Sequence, residues 1–257
     1  MIGQNKLRTL IDSCQLSTLP KSILLQGEVG SGRRTLVSYI GSRFNVDVVD
    51  ISDMLTKELV DSLYQEVATK IYIVDTEQVD QKKQNILLKF LEEPVNTAYL
   101  FVLVDNINAV LPTVINRCIH WRMEDYSREQ LLMFTTDEKL LAIANTPGRL
   151  REYKDFDVEY YTALADKIVA NIHVASWPNL FAVIDKFDYK TNELELFVLL
   201  LQNKFKQKIV EGAGLYAQFE LTSSFLRDMK IRNVDKKRLF EVYFFSLKEL
   251  MTCSSRN

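Results

Sequence analysis

Ile23-Leu-Leu-Gln-Gly27-Glu-Val-Gly30-Ser-Gly32-Arg33-Arg34-Thr35 is an apolar run that passes through a glycine-rich turn into a helical stretch. Glycines at this junction let backbone N–H groups close around a phosphate, and the start of the following helix adds its positive dipole end. The working form of such a loop places Lys and then Ser or Thr directly after the last glycine. Lys reaches the β and γ phosphates there, and the hydroxyl ligates magnesium. Here those positions hold Arg33 and Arg34. A guanidinium can grip an anion, but it has no acceptor to offer a cation and repels it. Thr35 supplies a hydroxyl one residue late.

Working outward, Ile71-Tyr-Ile-Val-Asp75-Thr76 is an apolar strand ending in an acid. In a nucleotide site that acid orients the magnesium shell and a following Glu polarises the attacking water. Thr76 takes the place of the Glu and cannot serve as a base at neutral pH. A glycine turn alone is usually only a turn, and an acid at a strand end is commonplace. Together, with a helix-strand-helix stretch between them, they point to a P-loop-type sheet. Losses in both motifs argue against intrinsic ATP hydrolysis. No cofactor is required on this reading, with vestigial nucleotide or phosphate binding at Gly27, Gly30, Gly32, Arg33, Thr35 and Asp75 as the open alternative.

Apolar runs at 23–25, 46–51, 71–74, 100–104 and 119–121 alternate with helical stretches at 4–14, after Gly32, near 56–67, near 80–91 and at 111–116. Five buried runs with helices between them predict a parallel sheet covered on both faces. After Ser127 the strand pattern stops. Ser127 with Gln130 forms a capping-box pattern, Thr136 or Asp137 can begin a second helix, and Pro147-Gly148 a third. Helical periodicity then covers 160–174, 177–187, 192–210, 215–229 and 235–251, with polar junctions at Arg151–Asp157 and Asp188–Asn192. The expected organisation is an α/β domain at 1–124, a small helical lid at 125–155 and an all-α domain at 156–257.

The 257 residues include 32 Lys+Arg and 34 Asp+Glu, and neither half carries a basic excess. That removes the usual electrostatic case for a chain that grips DNA alone. Eight Gly and five Pro favour helix-rich structure with short connections. Cys14, Cys118 and Cys253 form no CxxC pair, and only His120 and His173 could complete a metal set, so no metal site is expected. Sparse cysteines, an amino terminus without basic and apolar leader regions, and no apolar run approaching the roughly 20 residues of a membrane span predict a cytoplasmic protein. His120 and His173 read as packing residues, Cys118 as a small buried residue, and Leu196–Leu201 as a buried helix.

Two further stretches make the pattern specific: Gln84-Asn-Ile-Leu-Leu-Lys-Phe-Leu-Glu-Glu-Pro94 after the Asp75 strand, and Leu111-Pro-Thr-Val-Ile-Asn-Arg117-Cys118 after the next. With Ile2-Gly3-Gln4, the phosphate loop and the acid-ended strand, they resemble the clamp-loader branch of the AAA+ proteins. That family carries a "QNALLKxLEEP" helix and a "Ser-Arg-Cys" motif. The resemblance covers residues 2–124 and continues more weakly through Pro147-Gly148-Arg149, Asn233-Val-Asp235 and the 238–250 helix. It implies a P-loop AAA+ domain with a helical lid, then a collar domain that joins subunits.

By the same resemblance Arg117 is an arginine finger that projects into a neighbouring subunit's ATP site, and Arg149 stands at the lid-arginine position. With its own site degenerate, Arg149 reads as a salt-bridging or capping residue. Implied partners are other loader subunits, ATPases of the gamma or tau kind and a delta-like subunit, and through them the sliding clamp and primed DNA. Several features depart from the family: no four-cysteine zinc module follows the phosphate-loop helix, Asp105-Asn106 replace a Thr pair, Asn116 replaces Ser, and the collar is short. The competing readings are an active ATPase using Arg33 and Thr35, and a scaffold in which Arg117 is idle.

Overall fold

The computed structural model describes residues 3–231 and 234–254. Ile2 of the Ile2-Gly3-Gln4 match and Asn233 of the Asn233-Val-Asp235 match lie outside them. In chain order the first elements are α1 (Asn5–Ser13), β1 (Ser22–Gln26), α2 (Arg33–Phe44), β2 (Asp47–Asp50), α3 (Lys57–Leu63), β3 (Lys70–Asp75), α4 (Gln81–Gln84), α5 (Leu88–Glu92), β4 (Ala98–Val104), α6 (Pro112–Ile115) and β5 (Ile119–Arg122). The five strands are all parallel, in the order β2-β3-β4-β1-β5. Parallel pairing requires crossovers, and the helices between strands provide them.

Side chains alternate across a strand, so continuous apolar runs feed two cores. Ile23, Leu25, Ile71, Ile73, Phe101 and Leu103 pack with Leu7 and Ile11 of α1 and Leu36, Val37 and Ile40 of α2. On the other face Leu24, Tyr72, Val74, Leu100 and Val102 meet Val60 and Leu63 of α3, Phe90 and Leu91 of α5 and Val114 of α6. All seven residues of β4 are buried, as suits its central place. The helix expected across 80–91 is interrupted by a 3-10 turn at Asn85–Leu87. It tightens where the Gln84 amide is drawn inward, donating to Ala109 O at 3.0 Å and accepting from Leu111 N–H at 2.9 Å.

Beyond the sheet come α7 (Arg128–Leu132), α8 (Glu138–Ile143), α9 (Pro147–Tyr153), α10 (Val158–Asn171), α11 (Trp177–Ile184), α12 (Glu193–Val210), α13 (Tyr216–Asp228) and α14 (Lys236–Ser254). The Ser127–Gln130 capping box forms at the start of α7, and Asp137 caps α8. The chain divides into two compact units, Met1–Met133 with Thr146–Arg149, and Phe134–Asn145 with Leu150–Asn257. The division passes through α9. Within the second unit α12 is the core helix: Leu194, Leu196, Phe197, Val198, Leu200, Leu201 and Phe205 are buried. Aromatic packing surrounds it, with ring centroids 5.1 Å apart for Phe187–Phe197, 4.6 Å for Phe240–Phe244 and 4.7 Å for Phe225–Tyr243. Among the described residues no helix is long and apolar enough to cross a membrane.

Candidate functional site

The loop leaves the sheet at Gly27, whose N–H donates to Val104 O at 2.9 Å. A Cβ at Gly27 would lie 2.5 Å from Met123 Cγ. Gly30 and Gly32 take φ of 80° and 90°, the left-handed region glycine enters without penalty, and Gly32 stands just before α2. Three successive loop carbonyls receive donors from much later in the chain. Thr146 Oγ1 donates to Val29 O at 2.9 Å, the Gly148 N–H to Gly30 O at 3.0 Å and the Tyr126 hydroxyl to Ser31 O at 2.8 Å. Gly148 is needed there because a Cβ would sit 2.4 Å from Gly30 Cα. Gly3 packs on the Tyr126 ring, and the Gln4 amide exchanges hydrogen bonds with the backbone of Glu124 at 2.8 and 2.7 Å.

Both arginines of the loop are committed to acids. Arg33, 8% exposed, places Nη2 2.5 Å from Glu77 Oε1. Arg34 bridges two strand ends: Nη2 is 3.0 Å from Asp75 Oδ2, and Nη1 pairs with Asp50. Asp75 is closely held, with its side chain 9% exposed. Its Oδ1 accepts the Glu77 N–H at 3.1 Å, and its own N–H donates to Ser52 Oγ at 2.8 Å. Ser52 in turn donates to Asp50 Oδ1 at 2.5 Å. Thr76 spends its hydroxyl on Leu103 O at 3.0 Å, within the sheet. Thr35 is exposed on the first turn of α2.

The set does not fit a magnesium ion. A guanidinium already stands between Asp50 and Asp75, and among the described residues no group of three or more His, Cys, Asp or Glu is arranged to hold a metal. Two positive charges cannot share those carboxylates without repulsion. Polar capacity does remain at the loop, since Ser31 Oγ and Arg33 Nη1 are buried without hydrogen-bond partners among the described residues.

Arg117 follows the C-terminal end of α6. Its Nη1 donates to Thr113 O at 2.9 Å and its Nη2 lies 2.7 Å from Glu92 Oε1, with the side chain 35% exposed. It is not part of the loop network. Asn106 turns its side chain onto its own turn, accepting from Asn108 N–H at 3.0 Å. The Arg149 N–H meets Thr146 Oγ1 at 3.4 Å. Burial pushes the half-buried Cys118 thiol up to about 12, so it is protonated and inert at neutral pH. His120 corrects an expectation. It is exposed, because β5 is an edge strand and alternation turns Trp121 inward and His120 outward. Sequence reasoning did not single out Asp50, Ser52, Glu77, Tyr126, Thr146 or Glu92. Only the spacing of Glu77, two residues beyond Asp75, offered a signal.

A parallel sheet in this order, with a glycine loop after β1, an acid at the end of β3 and helical structure following, is a P-loop AAA+ architecture with an added helical domain. A family model described as "DNA polymerase III, delta subunit" matches residues 36–127. DNA polymerase III subunit gamma of Buchnera aphidicola subsp. Acyrthosiphon pisum (strain APS) is 22% identical over 169 residues. That match covers 52% of this chain and 47% of the relative, so the chain spans about half the length of the curated protein it resembles. A DNA polymerase III gamma subunit-related protein from Thermotoga maritima shares the fold at a TM-score of 0.51 and 16% identity, covering 96% of this chain and 99% of that one. The family model covers 92 of the chain's 257 residues, and the likeness to the solved structure is one of fold.

Proposed function

We propose that this chain is an ATPase-inactive, delta-prime-like subunit of a DNA polymerase III clamp loader. It completes a neighbouring subunit's ATP site with Arg117 and helps place the sliding clamp on primed DNA. The observation that carries the inactive reading is Arg34, whose guanidinium holds both Asp50 and Asp75 at the place where hydrolysis would need a hydrated cation. Arg33 is likewise held by Glu77, which disfavours the reading in which it replaces a phosphate-gripping Lys. Arg117 stands apart from this network and is partly exposed.

A cation supplied to a neighbour's γ-phosphate stabilises transition-state charge and contributes about 10³–10⁵ in rate at the site it serves. Such a donor needs no working nucleotide site of its own. The partners on this reading are gamma- or tau-like ATPase subunits and a delta-like subunit, with clamp and DNA reached through the assembly.

The test is ATP turnover of the reconstituted loader, stimulated by clamp and primed DNA, with native chain and with Arg117→Ala, beside the isolated chain. The Arg117→Ala complex should assemble and turn over ATP more slowly, and the isolated chain should show no turnover. Unchanged turnover in the variant complex would leave a scaffold with an idle Arg117. Substantial turnover by the isolated chain would establish an active ATPase instead.

A further inference from the structure

The stretch Gln84–Pro94 is among the most specific in the sequence, yet none of its residues belongs to the phosphate-loop network. Its two ends are both applied to the segment that carries Arg117. At the first end Gln84, 2% exposed, clamps the turn before α6 through Ala109 O and Leu111 N–H. At the second end Glu92, the last residue of α5, receives Arg117 Nη2 at 2.7 Å. The same guanidinium donates through Nη1 to Thr113 O at 2.9 Å.

Arginine has five N–H donors in a planar fork, so one hydrogen bond and one ion pair leave others for a phosphate. A long side chain at the surface is otherwise free to sample many rotamers, and a group that must meet a phosphate across a subunit boundary gains from being held beforehand. From this juxtaposition we infer that Glu92 is a positioning residue for Arg117. It holds the guanidinium against α6 and leaves its remaining N–H groups for the neighbour's nucleotide. The inference rests on the finger reading of Arg117 and adds a residue to it. Glu92 acts only through Arg117, which separates it from a general role in stability.

The test uses the reconstituted loader with clamp, primed DNA and ATP, comparing native chain, Glu92→Ala, Glu92→Gln, Arg117→Ala and Arg117→Ala/Glu92→Ala. Size-exclusion profiles establish assembly of each. Glu92→Ala should lower kcat by about 10-fold with KM for ATP unchanged. Glu92→Gln, which keeps an acceptor oxygen for Arg117, should recover most of that loss. In the Arg117→Ala background, Glu92→Ala should cause no further change. If Arg117→Ala itself leaves turnover unchanged, the finger reading fails, and the positioning role with it. If Arg117→Ala slows turnover but Glu92→Ala matches or exceeds the native rate, the positioning role alone is overturned. A further loss in the double variant overturns it as well, since Glu92 would then act without Arg117.

Discussion

Removing Arg34 from the loop should expose how tightly the acid network is built. In Arg34→Ala the Asp75 carboxylate, with only 9% of its side chain exposed, loses its guanidinium partner at 3.0 Å. Breaking a fully buried pair costs about 3–5 kcal/mol, whereas an exposed pair contributes about 0–1 kcal/mol. Arg34 is 43% exposed and Asp75 keeps the Glu77 N–H, so the loss falls between these limits, at about 2 kcal/mol. The Asp50 contact, between groups 43% and 37% exposed, adds little.

Trp121 is buried in the sheet unit and Trp177 lies in the other. A Trp177→Phe background therefore leaves Trp121 fluorescence to report urea unfolding of the sheet unit. Arg34→Ala should lower stability by about 2 kcal/mol, and Asp50→Asn by less than about 1 kcal/mol. The cycle of Arg34→Ala with Asp75→Asn should show a coupling of about 1–2 kcal/mol. A coupling below about 0.5 kcal/mol, the ordinary error of additivity, would refute the bridging role assigned to Arg34.

Elsewhere in the chain, buried Thr222 donates to Gln218 O at 2.7 Å and lies 2.9 Å from the Tyr243 hydroxyl, whose pKa burial pushes upward. Thr222→Val strands that hydroxyl and should cost about 1–3 kcal/mol by thermal unfolding. Tyr243→Phe leaves Thr222 bonded to Gln218 and should cost less; the reverse order would contradict this account. Iodoacetamide at pH 8 should modify exposed Cys253 and spare Cys118, whose thiolate forms only as pH nears about 12. Equal labelling of the two in peptide mass spectrometry would contradict the burial assigned to Cys118.

Local regularities made much of this molecule legible. Unbroken apolar runs such as Tyr99–Val104 predict strands buried on both faces, and β4 is one. The glycines at 27, 30 and 32 predict a tight turn into a helix, and Gly30 and Gly32 take the positive φ angles only glycine adopts easily. Ser127 with Gln130 predicts a cap, and the cap forms. Each of these depends on residues within a few positions of one another, so the chain states them directly. The same local reading misplaced His120, because whether a strand lies at the edge of a sheet depends on its neighbours.

What the sequence by itself determined is therefore the αβα order, the helical second half and the presence of arginines where a working phosphate loop has Lys and a hydroxyl. Tertiary structure alone decided what those arginines do. Arg33 meets Glu77 across 44 positions, Arg34 meets Asp75 across 41, Tyr126 reaches Ser31 across 95 and Thr146 reaches Val29 across 117. Polar groups so far apart in sequence have no local periodicity to announce their pairing. They are brought together because parallel strands place all their C-terminal ends on one edge of the sheet, where the loop after β1, the acids of β2 and β3 and the later segments converge.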